Sequence, residues 1–235
     1  MVIDTPDPAL SSQVLANPAL AALRGPHAHF AESRGRAVRY HPDVCPMGAL
    51  PDDPTAADWA DAAALIGPGN TLFLPVVDIR PPEGWGTRMS IPGVQMVDAG
   101  VSAAPDDEAV TLTDDDVPEM LDLVGRTRPG PFLTRTIELG TYVGVRRGGK
   151  LIAMAGERLH VPGYTEISAV CTDPAARGEG LGTRLIHVVA HGIRERGEVA
   201  FLHASADNTN AIRLYEALGF TLSRHVMFQV LVAPD

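Results

Sequence analysis

The chain has 235 residues, 19 basic and 29 acidic, for a net charge of −10; that length accommodates two lobes of about 100–130 residues or one large unit. With 45% apolar and 20% charged residues, the composition excludes a long disordered chain. The acidic balance leaves no electrostatic footprint for phosphate backbones, so nucleic acid is not an expected partner.

Prolines and glycines crowd the first part of the chain, as at Gly67-Pro68-Gly69 and Pro81-Pro82. Between them, residues 38–40, 71–77 and 94–97 are short apolar runs with strand character. Residues 55–66 place Trp59, Ala62, Ala63 and Ile66 at helical spacing. The small and acidic residues of 98–107 form a connector, which sets a boundary near residue 108: an N-terminal lobe over 1–108 and a second domain over 109–235. Net charge is −8 over residues 1–109 and −2 over 110–235.

Beyond the boundary, Thr113 and three aspartates cap a helix running to about residue 124. Strands are predicted at 141–146 and 151–159 around the turn Arg147-Gly148-Gly149-Lys150, then at 164–172. Leu181, Leu185, Val188, Val189 and Ile193 form one buried stripe of a helix over 181–196. A strand at 199–203 precedes a helix at 209–218, expected to bury Ala211, Leu214, Tyr215 and Leu218 and to close at Gly219. A last strand covers 220–231. The fold class is α/β, with a mixed sheet.

The densest signal is Arg177-Gly178-Glu179-Gly180-Leu181-Gly182-Thr183, where a strand turns into a helix. Glycines allow close approach of a ligand, and the first helical turn offers unpaired N–H groups to an anion. Gly-Lys-Ser/Thr is absent, which excludes a P-loop; G-x-G-x-G late in the chain does not fit a dinucleotide fold either. By itself the segment is either a phosphate cradle or a glycine-rich turn.

Together with Asn208 and the run Leu214-Tyr215-Glu216-Ala217-Leu218-Gly219-Phe220, this segment resembles the GNAT superfamily of acetyl-CoA-dependent N-acetyltransferases over roughly residues 110–235. Met154-Ala155-Gly156-Glu157-Arg158 and residues 166–174 are similar to its FR47-like branch, related to the C-terminal domain of glycine N-acyltransferase. The resemblance implies a GNAT fold and, for the N-terminal lobe, a degenerate GNAT-like unit. It also implies a strand bulge that frees the backbone of Val170, Cys171 and Thr172 to hold pantetheine and polarise the thioester carbonyl. The stretch Arg177, Gly178, Glu179, Gly180, Leu181, Gly182 and Thr183 would hold the pyrophosphate of acetyl-CoA, with Asn208 contacting the same co-substrate.

In that family pattern Tyr215 protonates the departing thiolate. A phenol of pKa about 10 is protonated at neutral pH and can donate to a thiolate whose acid has pKa about 8.5. Glu166 is the expected general base; Glu157, His160 and His203 are rivals. Cys171 reads as a small strand residue. An α-amine of pKa about 8 is roughly 10% neutral at pH 7, so a small amine or amino acid needs only a weak base. Acetyl transfer to such an amine is the expected reaction. The competing readings are a non-catalytic acyl-CoA-sensing module and a transferase of longer acyl groups. The acidic N-terminal half would steer a cationic acceptor.

Cys45 and Cys171 stand far apart without a CxxC, excluding a disulfide framework or a cysteine zinc cage, and no metal is expected. No apolar run approaches the roughly 18 residues of a membrane span, and residues 1–8 carry no leader pattern. The expectations are a cytoplasmic enzyme, no membrane partner, and a homodimer as the possible assembly.

Overall fold

The computed structural model describes residues 14–75 and 79–235. Its frame is an eight-stranded mixed sheet in the order β4-β11-β5-β10-β9-β8-β7-β6, beside a small three-stranded sheet β1-β2-β3. In chain order the large-sheet strands are β4 (Thr71–Leu74), β5 (Gly86–Asp98), β6 (Val110–Thr111), β7 (Tyr142–Arg147), β8 (Lys150–Val161), β9 (Tyr164–Thr172), β10 (Val199–Ser205) and β11 (Phe220–Val232). The small sheet holds β1 (Ala31–Arg34), β2 (Ala37–Tyr40) and β3 (Gly48–Ala49). Helices are α1 (Pro18–Leu23), α2 (Ala56–Ile66), α3 (Val117–Thr127), α4 (Leu181–Glu195) and α5 (Thr209–Leu218).

Local chemistry accounts for most of these limits. Thr55 and Asp58 form a reciprocal capping box that starts α2. Thr113 and Asp116 form another, opening a 3-10 turn over Asp114–Asp116 that leads into α3. Gly148 and Gly149 both have positive φ and turn β7 into β8. The strand expected at 71–77 ends at Leu74, and residues 76 and 77 lie outside the described residues, as do residues 1–8.

Two faces of the sheet are covered differently. Leu181, Leu185, Ile186, Val189 and Ile193 of α4 pack on Val145, Ala153, Ile167 and Leu202, which is the stripe the sequence predicts. On another part of the sheet, α3 buries Met120 and Leu123 against Tyr142, Met154 and Cys171. The N-terminal segment contributes a third cluster, in which Leu15, Ala19 and Tyr40 meet Leu159, Tyr164 and Phe201. Among the described residues no helix is long and apolar enough to cross a membrane.

The sheet runs across the boundary drawn at residue 108. β5, far longer than the 94–97 run predicts, lies between β10 and β11 and pairs antiparallel with both. One expectation about α5 is corrected: none of its residues is buried, and Leu214 is 38% exposed. Ala211, Leu214 and Tyr215 line a cavity, while Ile212, Tyr215 and Leu218 pack half-buried against the core.

Candidate active site

β9 and β10 are the parallel neighbours of the sheet, paired from Val199↔Tyr164 only as far as Leu202↔Ile167. Past that point β9 carries a bulge. Its register against β8 jumps from Gly156↔Ser168 to Met154↔Cys171, so two residues oppose one. The bulge centres on Ala169, whose φ of +54° is left-handed for a residue with a side chain. The strands part here, and residues 168–172 face 203–205 without a ladder between them. A cavity of about 1380 Å³ opens in that gap.

One end of the cavity is the strand-to-helix turn. Val170, Cys171, Thr172, Arg177 and Gly182 line it. Gly178 and Gly180 take φ of +87° and +74°, and a Cβ at either would meet no atom within 4 Å, so the backbone lies bare to solvent. Gly180 caps α4 without any side-chain hydrogen bond, which leaves the N–H groups of the first turn, beginning with Leu181, Gly182 and Thr183, for an anion. Leu181 itself is buried in the core under α4, so it contributes backbone alone. Glu179 is exposed and stands 3.9 Å from the Arg147 guanidinium. Cys171 points away into the α3 cluster, where burial raises its thiol pKa; it is a strand packing residue.

From the opposite wall α5 presents Asn208, Ala211, Leu214 and Tyr215. Asn208 caps the helix by accepting from the Ala211 N–H at 3.3 Å, and it also borders the cavity. Tyr215 packs edge-on to Phe220, ring centroids 6.0 Å apart. Its hydroxyl has no hydrogen-bond partner among the described residues, and burial raises its pKa. It is a protonated phenol facing the gap.

Glu166 is placed differently from a free base. It is fully buried below the cavity, accepting from Arg158 Nε at 2.7 Å and Nη2 at 2.5 Å. His203 Nδ1 lies 2.6 Å from its Oε1. Burial alone would push the carboxyl up, but Arg158 and then His203 outweigh it and hold the pKa at about 2. A carboxylate only accepts, so Nδ1 of His203 carries the proton; its Nε2 receives the Gln95 amide at 3.1 Å. Arg158 and His203 line the cavity and Glu166 stands behind them. Glu157 and His160 do not line it. They form a separate cluster in which Glu157 accepts from Arg196 at 2.8 Å and from the Thr141 N–H at 3.1 Å.

The remaining wall comes from the N-terminal half and β11. Met47 bridges to Phe73, Phe73 meets Phe228, and Phe228 lies edge-on to His203 at 6.1 Å. Gly93 is required there: a Cβ on it would sit 2.4 Å from the Phe228 ring. Arg39 borders the same end. Sequence reasoning did not single out Arg158, Arg39 or these aromatics as site residues. Arg158 comes beside Glu166 only because β8 is irregular there, residues 158 and 159 together opposing 166, which the turn at Pro162-Gly163 does not announce. Nothing local marks the others, which arrive from strands distant in sequence.

Comparison with known proteins places these features. Residues 142–229 match the family described as FR47-like protein. A solved structure, a putative acetyltransferase from the GNAT family from Novosphingobium aromaticivorans, is 37% identical, with a TM-score of 0.86 over 94% of this chain and 99% of that one. The mycothiol acetyltransferase of Thermomonospora curvata is 40% identical over 85 residues, 35% of this chain and 29% of that protein. The N-alpha-acetyltransferase RimI of Mycobacterium tuberculosis is 39% identical over 82 residues, 34% of this chain and 51% of that protein. The match thus spans between a quarter and about half the length of these two curated relatives.

Proposed function

The chain belongs to the GNAT family of acetyltransferases, and from that premise we propose that it transfers the acetyl group of acetyl-CoA to the primary amine of a small molecule. The observation that carries this is the parting of β9 from β10 at Ala169, with the bare glycine turn at one end and the Tyr215 hydroxyl facing the gap. An extended arm can lie along residues 168–172, and phosphates can meet the first turn of α4. The residues therefore fit coenzyme A, whose thioester supplies the activated acetyl group.

The rest of the chemistry is assigned to this chain's own groups. Backbone groups of Val170, Cys171 and Thr172 along the bulge hold the arm and polarise the carbonyl. Arg177 and the turn from Gly178 to Thr183 hold phosphate, with Asn208 beside them. Tyr215 gives its proton to the leaving sulfur. Glu166, held near pKa 2 and closed off by Arg158 and His203, acts as a fixed charge that orients both neighbours; it is not the proton acceptor. Loss of the amine proton is left to water, since both ring nitrogens of His203 are engaged by Glu166 and Gln95; the arithmetic of an α-amine permits this.

The test is thiol release from acetyl-CoA against a panel of primary amines, with coenzyme A affinity measured in parallel. Turnover with at least one amine is expected. In Gly180→Asp coenzyme A affinity falls at least tenfold because the carboxylate repels phosphate, and the left-handed φ of +74° lowers the melting temperature by a few degrees without unfolding the protein. Unchanged affinity in this variant would remove the phosphate assignment.

A further inference from the structure

The cavity does not end at the gap between β9 and β10. On the far side of β10 the sheet order is β5, β11, β4, and one face of those strands carries an apolar strip. Ile91 pairs with Phe228, Met89 with Val230, and Val230 in turn with Phe73. Directly paired residues share a face, and all five line the cavity. The order of the strip is therefore that of the strands. His203 and Ser205 stand at the gap on β10, Phe228 follows with its ring 6.1 Å from His203, and Phe73 lies beyond it, ring centroids 6.4 Å apart. Three strand spacings of about 4.8 Å make the strip about 14 Å long.

The rest of the chain leaves this strip uncovered. Phe201, on the same face of β10 as His203, is fully buried under the N-terminal segment, but Phe73, Met89, Ile91, Phe228 and Val230 are only half-buried. A polar group laid there would lose water and gain no partner, whereas an apolar one gains by burial. Charge points the same way. Among the described residues no aspartate or glutamate borders the cavity, so a second ammonium finds no counter-ion there. Of the four arginines that border it, Arg177 and Arg128 stand on the β9 side, after the strand and at the end of α3. Arg158 and Arg39 already hold the carboxylates of Glu166 and Glu32, so neither leaves an unbalanced charge over the strip.

Resting on the acetyltransferase reading above, we propose that the acceptor is a primary amine borne on an extended, uncharged apolar body. The amine lies at the gap beside His203, and the body runs along the strip across Phe228 to Phe73. Coenzyme A does not compete for this space, since its arm follows β9 and its phosphates the glycine turn, on the other side of the gap. Met47 and Met89 border the strip with unbranched, adaptable side chains. The site therefore selects for length and for lack of charge rather than for one fixed outline.

A homologous series tests this. Propylamine, butylamine, hexylamine and octylamine share one amine pKa of about 10.4, so the cost of deprotonation cancels between them and kcat/KM reads the body alone. From propylamine to octylamine kcat/KM is expected to rise at least thirtyfold, about twofold for each methylene, below the roughly fourfold of complete burial. Diaminooctane, with a second ammonium at its far end, should fall at least tenfold below octylamine. Met89→Gln puts an amide in the strip and is expected to lower the octylamine-to-propylamine ratio at least fivefold. A flat series in the wild type, or diaminooctane equal to octylamine, overturns the proposal whether or not Met89→Gln folds. Binding to the protein saturated with coenzyme A is measured calorimetrically in parallel. Tighter binding of octylamine than of propylamine without thiol release would break the transferase reading and leave the apolar site standing. Thiol release from acetyl-CoA at one rate across the series would do the reverse. If none of the four amines binds or reacts, the proposal also fails.

Discussion

At the scale of single residues, Tyr215 and Glu166 show how burial decides what a titratable group can do. Tyr215 has burial without a charge beside it, so its pKa rises and the phenol keeps its proton until it meets a stronger base. Tyr215→Phe keeps the packing on Phe220 and removes only the hydroxyl. Steady-state kinetics should show kcat down by about a hundredfold, with coenzyme A affinity and melting temperature nearly unchanged. Glu166 has burial together with a cation on both its oxygens, and the cation wins. Its folded pKa of about 2 lies below the ordinary 4.5, so the stability it contributes is complete above pH 4.5 and drains away as pH falls towards 2. Glu166→Gln strands the Arg158 charge and should cost about 3–5 kcal/mol at neutral pH, a fall of roughly 10 °C in melting temperature. Between pH 4.5 and 2 the variant's melting temperature should also fall less steeply than that of the wild type. An equally steep loss would mean that other carboxylates govern acid unfolding.

At the scale of elements, the cavity depends on the one residue inserted at Ala169. A non-glycine residue at φ +54° costs about 1–2 kcal/mol, and the return is an unpaired edge on β9. Ala169→Gly relieves that strain and should raise the melting temperature by a few degrees with coenzyme A affinity retained. Ala169→Val, branched at Cβ in a left-handed position, should lower both; thermal scans and calorimetry separate the two outcomes. The limits of β9 and α5 were legible in sequence because alternation, capping by Asn208 and closure at Gly219 are local rules. The stripe Ala211, Leu214, Tyr215 was legible as apolar, but periodicity cannot distinguish a face turned to a core from one turned to a cavity. The bulge entered through resemblance, since neither Ala169 nor Val170 carries a local signal for it. Glu166 is the sharper case. Its place on β9 was readable, whereas its confinement depends on Arg158 across a hairpin and His203 on β10, contacts that no single segment specifies.

At the scale of the whole molecule, the N-terminal half takes part in the sheet. β5 carries Gly86, Pro92 and Gly93, a composition that reads as loop, and only its last residues alternate like a strand. It becomes a strand because β11 pairs with it from Phe220↔Asp98 to Val232↔Gly86 and β10 pairs with it from Phe201↔Val97 to Ser205↔Gly93. Without β5 the neighbouring edges of β10 and β11 would stand open, with their backbone groups unpaired and Val94 and Met96 missing from the core under α4. Gln95 would go as well, and with it the amide that faces His203. Residues 110–235, although they hold the glycine turn, Asn208 and Tyr215, should therefore fail to fold alone. Expressed by themselves they should aggregate or lack a cooperative thermal transition. Co-expression with residues 1–109 as a separate chain should restore both a transition and coenzyme A binding, since a cut after residue 109 keeps the connector, which packs on α4 through Val101 and pairs Asp106 with Arg184, on the same piece as β5. A soluble, cooperatively melting 110–235 fragment that binds coenzyme A would show that β5 covers the sheet without completing it.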